Sequence, residues 1–346
     1  GNKILPGSMV RSIKLYGNKL WVGLEVEGLA IMQKKRLPII NISFREKDNT
    51  IMPATPARSM IFDSHGRFWV GATEYGVGMN EDGFAFKFFN TQNSNLKHNT
   101  VNAFCEDGKG RLWMGSVEGD LNYISLDNPS QIINPAGCDS ETAKKIDGIY
   151  SIRYDAINES LWILSISGLY IYNLETSELR EYDDFLFLCT SACIDSQSRL
   201  WVSHFNGLRM IDLHSMEHRD YPEIPSSLAI LPDDDGFWIG TFSQGLLHME
   251  LNPDGSLELT EYTEEDGLSD NRIRGMLKDG SYLWITTENG LNRFDTEDSS
   301  FESFGTDEGL ESSAFCEGSI AVRSNNSFEL TYRISKHHVF RKFNIE

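Results

Sequence analysis

The sequence predicts an all-β protein built from one repeated unit, and three observations predict it. Seven tryptophans, Trp21, Trp69, Trp113, Trp162, Trp201, Trp238 and Trp284, recur at intervals of 37 to 49 residues, each between a Leu or Phe and a Val, Met or Ile. Six or seven residues after most of them stands a Gly followed by an apolar residue, as in Gly76-Val77, Gly207-Leu208, Gly245-Leu246 and Gly290-Leu291. Five to seven residues before six of them an Asp opens a polar cluster: Asp63, Asp107, Asp155, Asp195, Asp233 and Asp279. The mean interval of about 44 residues is that of propeller blades and exceeds the ankyrin and tetratricopeptide periods.

Each unit reads as strand A, turn, strand B, turn, strand C and a variable strand D. The Asp cluster is the A–B turn, because an Asp side chain accepts neighbouring backbone N–H groups. Strand B carries the Trp, and the Gly supplies the positive φ that a B–C hairpin turn demands. Val101 to Cys105, Arg111 to Gly115 and Leu121 to Ser125 illustrate A, B and C, and Phe84 to Phe89 illustrates D. Runs such as Leu200-Trp201-Val202 are apolar on both faces, which suits blades packed face to face. No segment keeps a 3.6-residue period, so helix is expected to be nearly absent.

These units predict a β-propeller of four-stranded antiparallel blades, a single domain over residues 1–346. In order, the blades are expected at 8–45, 57–90, 100–134, 148–182, 190–221, 227–262, 272–304 and 315–346, with 1–7 completing the last. The eighth unit follows from Ser319 to Arg323, Phe328 to Arg333 and His338 to Phe343, with Phe328 in the Trp slot. Eight blades are therefore expected. Seven is the alternative, because Phe328 is not followed by the Gly-Leu pair.

Composition excludes several functions. Of 346 residues, 51 are Asp or Glu and 31 Lys or Arg, a net charge of −20, so neither nucleic acid nor an anionic membrane surface is an expected partner. No apolar run approaches the roughly 18 residues of a membrane span. The first residues, Gly1-Asn2-Lys3, suggest a piece of a longer chain. Five cysteines, at 105, 138, 189, 193 and 316, form no Cys-x-x-Cys pair and have no His at zinc spacing, so no metal site is expected. Cys105 and Cys193 sit in apolar runs and read as small buried hydrophobes.

The repeats resemble the two-component regulator propeller repeat, whose pattern is Asp, a short turn, Gly-x-Leu-Trp-Ile-Gly-Thr, then Gly-Leu and a Tyr or Phe with Asp. Asp107 to Leu121, Asp235-Gly236-Phe237-Trp238-Ile239-Gly240-Thr241 through Gly245-Leu246, and Leu283 to Asp295 are the nearest copies. Asp266-Gly267-Leu268 and Glu308-Gly309-Leu310 are similar to that family's inter-blade connection. Trp162 and Trp201 depart from the pattern, being followed by Ile163-Leu164-Ser165 and Val202-Ser203. The resemblance covers nearly the whole chain. It implies a periplasmic sensor region of a Bacteroides-type hybrid two-component protein that detects carbohydrate breakdown products. It also implies partners in the same chain, a neighbouring propeller and an immunoglobulin-like domain, and a homodimer. The full-length protein is then expected to be a sensor histidine kinase, while this fragment is expected to be non-catalytic and without a cofactor.

Seven like tryptophans read as inter-blade core and not as ligand platforms. The repeated Asp residues read as turn caps, since one carboxylate per turn without other oxygen donors does not hold calcium. Non-repeating chemistry belongs on the B–C turns and D–A connections, which share one face of a propeller. The candidate ligand-binding residues there are Glu74, Tyr75, Glu118, His204, Asn206, Gln244, Glu288 and Arg272, with an oligosaccharide as ligand. His204-Phe205-Asn206 and Glu74-Tyr75 pair an aromatic ring with hydrogen-bonding groups, which suits a polyol. The alternative is an interaction propeller without its own ligand. A propeller lyase or glycosidase ranks behind it, because nothing raises Glu74, Glu118 or Glu288 above its repeat equivalents.

Overall fold

The computed structural model describes residues 57–305 apart from 82–85, 184–185, 235 and 253–255, and outside that span chiefly the backbone of terminal strands. The terminal strands before this span are β1 (Val10–Tyr16), β2 (Lys19–Leu24), β3 (Leu29–Gln33) and β4 (Ile39–Ile42). Six four-stranded antiparallel sheets follow, each of four consecutive strands. The first blade is β5 (Ala57–Phe62), β6 (Phe68–Ala72), β7 (Gly76–Asn80) and β8 (Phe86–Phe89). The second is β9 (Val101–Glu106), β10 (Arg111–Ser116), β11 (Leu121–Ser125) and β12 (Ile132–Ile133). The third is β13 (Ile149–Asp155), β14 (Ser160–Ser165), β15 (Leu169–Asn173) and β16 (Leu179–Asp183), and the fourth is β17 (Ser191–Ile194), β18 (Arg199–His204), β19 (Gly207–Asp212) and β20 (His218–Tyr221). The fifth is β21 (Ser227–Pro232), β22 (Gly236–Thr241), β23 (Leu246–Leu251) and β24 (Leu257–Tyr262). The sixth is β25 (Ile273–Asp279), β26 (Tyr282–Thr287), β27 (Gly290–Asp295) and β28 (Ser300–Phe304). The only helical turns among the described residues are two three-residue 3-10 turns, Ala143–Lys145 and Glu264–Asp266.

The expected count of eight blades, with seven as the alternative, is corrected to six. The C-terminal strands β29 (Ala314–Arg323), β30 (Ser327–Arg333) and β31 (His338–Asn344) take β4 as their fourth strand, Phe340 opposite Ile42 and Phe343 opposite Ile39. That pairing leaves β1–β2–β3 as a three-stranded sheet. Neither end of the chain therefore makes a blade of four consecutive strands. The physical reason is the open edge of β31: its unpaired N–H and C=O groups recruit a strand from the other terminus, and local sequence spacing is blind to that choice. The mixed sheet stands between the sixth blade and the first, β29 lying against both β25 and β5. Residues 1–7, expected to complete the last blade, and the side chain of Phe328 lie outside the described residues.

The Trp residues pack between blades, as their repetition predicts. Trp69 clusters with Val101, Phe104, Leu112 and Met114 of the second blade, and Trp113 with Ile149, Ile152, Leu161 and Ile163 of the third. Trp162, Trp201 and Trp238 repeat this against the fourth, fifth and sixth blades. All five are at most 4% exposed, and burying a ring of this size accounts for a large share of core energetics.

The preceding Asp does more than cap its turn. Asp107 Oδ1 accepts the N–H groups of Lys109 and Arg111, while Oδ2 accepts Arg111 Nε at 2.6 Å and Trp113 Nε1 at 2.7 Å. Asp63 does the same with Arg67 and Trp69, and Asp195 with Arg199 and Trp201. Asp155 and Asp233 keep the indole bond without the Arg, at 3.3 and 2.6 Å. A carboxylate with four donors can be buried because its charge and lone pairs are met.

Candidate functional site

The B–C turns and D–A connections do share one face, and backbone hydrogen bonds fasten them together. Val117 N–H donates to Thr100 C=O, Ile166 to Asp147, Phe205 to Phe187, Phe242 to Ser226 and Glu288 to Arg272, at 3.0 to 3.2 Å. In each pair the donor sits in a B–C turn and the acceptor just before the inner strand of the same blade. Adjacent blades are linked too, Gly76 N–H to Asn99 C=O and Gly245 N–H to Asn271 C=O. The turn glycines Gly76, Gly119, Gly207, Gly245 and Gly290 have positive φ, as the hairpin reading requires.

On this face five successive turns each present an exposed apolar side chain: Tyr75, Val117, Ile166, Phe205 and Phe242. Tyr75 is 54% exposed, Phe205 57% and Phe242 48%. Phe205 stacks on exposed Phe187 of the neighbouring connection, ring centres 4.8 Å apart, and the Arg274 guanidinium lies 5.5 Å from the Phe242 ring centre. An exposed ring beside polar turn atoms can stack on the apolar face of a sugar or a partner side chain.

The expected site residues divide into four groups. Glu74 and Tyr75 of the first blade, Asn206 of the fourth and Gln244 of the fifth are exposed at turns, and no described side chain hydrogen-bonds to theirs. Glu118, also exposed, is faced by His98, whose Nε2 is 4.0 Å from Glu118 Oε1. Arg272 and Glu288 are brought together at 2.5 Å. Glu288 also pairs with Arg274, and Arg272 holds Asp270 in a two-pronged contact at 2.8 and 3.0 Å. The Arg272 hydrogen bonds keep the Asp270 carboxyl below its ordinary range, and the same contact pushes the Arg272 guanidinium further up. With two guanidiniums on it, Glu288 is part of a paired charge cluster.

His204 departs from the rest. It is 5% exposed, and its Nδ1 accepts the Asn206 N–H at 3.3 Å. It stands three residues after its Trp, where other blades carry Ser116, Ser165, Thr241 and Thr287, whose hydroxyls cap the same turn. His204 is thus a turn cap whose other nitrogen, Nε2, is buried without a hydrogen-bond partner among the described residues. Burial, with the Arg209 charge, lowers its pKa, so the ring is neutral at pH 7.

Residues absent from the sequence-based set lie one layer deeper. The inner strands of five blades carry a register shift at their second residue, so that the strand register skips Arg58, Asn102, Tyr150, Leu228 and Arg274. Such bulges re-aim a side chain. Four of them, Arg58, Asn102, Tyr150 and Leu228, line one cavity of about 220 Å³ together with Arg153, Thr190 and Ser191. The signal was present: Arg58, Asn102 and Tyr150 each follow an apolar strand-opening residue and precede a small one, at intervals close to the repeat. What that pattern does not reveal is the bulge.

No chemistry of activated thiols is supported by the described cysteines. Burial pushes Cys105 up to about 11 and Cys138, Cys189 and Cys193 up to about 12. Among the described residues no group of three or more His, Cys, Asp or Glu is placed to hold a metal ion, and no helix is long and apolar enough to cross a membrane.

Fold and face together define an all-β propeller with its variable groups on the turn surface. Residues 95–118 match the family described as Two component regulator propeller. By structure the chain is similar to a protein described as the extracellular domain of a hybrid two component system, BT3049 from B. thetaiotaomicron, with 19% identity and a TM-score of 0.76, covering 97% of this chain and 45% of that one. A second such domain, of BT4673 from the same organism, matches with 17% identity and a TM-score of 0.65, covering 96% and 46%. PorZ, a surface component of the type-IX secretion system of Porphyromonas gingivalis, matches with 16% identity and a TM-score of 0.64, covering 97% and 52%. This chain therefore spans about half the length of the structures it resembles. No curated protein sequence matches it.

Proposed function

We propose that this propeller is a non-catalytic, extracytoplasmic sensor module of a hybrid two-component protein, and that its turn face binds a carbohydrate breakdown product. The observation that carries the reading is the row of exposed apolar side chains, Tyr75, Phe205 and Phe242 among them, set beside the uncommitted polar groups of Glu74, Asn206 and Gln244. Rings with adjacent hydrogen-bonding groups are what recognition of a polyol uses. The match of residues 95–118 to the regulator propeller and the likeness to extracellular sensor domains support the placement. The longer protein is then a histidine kinase in which a neighbouring propeller and an immunoglobulin-like domain transmit the signal across a periplasmic dimer. A ligand shifts such an assembly only by its differential affinity for two arrangements.

Of the three turn carboxylates, Glu288 is tied up in ion pairs with Arg272 and Arg274 and is not offered to a substrate. The exposed apolar row equally suits a protein partner, which makes an interaction propeller the second reading. Thermal-shift and calorimetric titration against plant, host and fungal oligosaccharides separates them, because a ligand of the folded state raises Tm by mass action. Selective binding weakened by Tyr75→Ala and Gln244→Ala is the expected result. Failure of every saccharide, on this propeller and on the full-length sensor region alike, removes the carbohydrate reading.

A further inference from the structure

The cavity behind the turn face has a composition that the rest of the molecule does not lead one to expect. The chain carries a net charge of −20, yet the cavity's described lining holds Arg58 and Arg153 and no carboxylate. Arg153 is held in place: its Nε donates to Ala192 C=O at 2.7 Å and its Nη1 to Ile152 C=O at 2.8 Å. Arg58, the bulged residue of β5, is exposed and makes no hydrogen bond or ion pair with any described residue. Asn102, the bulged residue of β9, has its Oδ1 buried with no donor among the described residues to accept from. Among the described residues, two cations thus lack an anion and a buried acceptor lacks a donor. A buried acceptor left unmet costs roughly 1–3 kcal/mol.

One class of small molecule answers both deficits, a carboxylate that also carries hydroxyl groups. The cavity volume of about 220 Å³ is below the roughly 300 Å³ at which drug-sized pockets begin, so the occupant is compact. We propose that this cavity binds the acidic end of a sugar acid, its carboxylate facing Arg58 and Arg153 and a hydroxyl donating to Asn102 Oδ1. The repeated bulge is the device that builds the site: it turns Arg58, Asn102 and Tyr150 out of their ladders and into one cavity. This inference rests on the reading of the turn face as a ligand surface and names the charge class of that ligand.

The test is calorimetry and thermal shift of the whole chain, at fixed ionic strength, with glucuronate and galacturonate set against glucose, galactose and sulfate. The expected result is that a uronate binds and raises Tm, that its neutral counterpart does not, and that Arg58→Gln weakens the uronate roughly 10- to 100-fold, the range expected for a hydrogen bond to a charged group. Arg58→Gln leaves the unliganded Tm in place, since Arg58 has no contact of that kind to lose, and Asn102→Ala weakens the uronate without abolishing it. Equal binding by the neutral sugar, or by Arg58→Gln, overturns the acidic site and leaves the turn-face reading standing. Binding of sulfate as tight as that of the uronate overturns the hydroxyl part of the proposal. If no uronate binds, the inference fails alone, and the turn-face reading is then decided by the oligosaccharide titration of this propeller and of the full-length sensor region.

Discussion

Asp107 shows how one carboxylate can set the geometry of a whole turn. Its two oxygens take two backbone N–H groups, the Arg111 guanidinium and the Trp113 indole, so the A–B turn and the inter-blade ring are fixed by the same side chain. Asp107→Ala leaves those donors unmet and is expected to destabilise the protein by at least about 3 kcal/mol in urea unfolding, whereas Trp113→Phe costs about 2 to 4 kcal/mol by losing one hydrogen bond and part of the ring. His204 gives a pH test. Its folded pKa is lowered by burial, so its contribution is full above the unfolded value of about 6.5 and is lost as the pH falls below that value toward the folded pKa. His204→Thr, the residue at Thr241 and Thr287, is expected to keep the turn cap and flatten the stability profile between pH 6.5 and the acid range, read as Tm against pH. A profile unchanged by the substitution refutes the assignment.

At the scale of the strand, the close approach of neighbouring blades decides which residues fit. Gly115 in β10 lies under Ile149 of the next blade, where an added Cβ would stand 2.4 Å from Ile149 Cγ2, and Gly240 faces Ile273 at 2.5 Å in the same way. The Gly two residues after Trp is thus a packing requirement. Gly115→Val is expected to cost about 1–3 kcal/mol as overpacking, visible as a lower urea midpoint, with Gly110→Ala as control because its Cβ meets nothing and only its positive φ is strained. Strands B and C and their turns were legible in the sequence because Trp, Gly and Asp recur at each of them. The inner-strand bulges were not. A bulge changes the pairing partner of one residue, and pairing is a relation between strands, whereas alternation is read along one. That is why the turn positions of Glu74, Tyr75, Asn206, Gln244 and His204 can be read along the chain, whereas the burial of His204 and the placement of Arg58 and Asn102 in one cavity cannot.

For the molecule as a whole, the two termini are joined through one strand pair. β4 closes the edge of β31, so removing residues 1–45 deletes that strand and opens that edge of β31, whose other edge stays paired with β30. Such an edge is a template for association. The truncated chain is expected to melt earlier than the full chain and to aggregate near its transition, by light scattering during a thermal ramp; an unchanged melt shows that the terminal pairing contributes nothing. The sequence by itself determined that this is an array of β units with tryptophans between them, that Asp and Gly mark their turns, and that one face carries the variable groups. Those are properties of a repeat, written out along the chain several times, so each copy corroborates the others. Only the tertiary structure decided the count of six blades of consecutive strands, the partner of β4, and the cavity that gathers Arg58, Asn102 and Arg153 from separate blades. Each of these depends on which distant segments meet, and hydrogen bonding at an open edge or across a shared axis leaves no periodic trace in the order of residues.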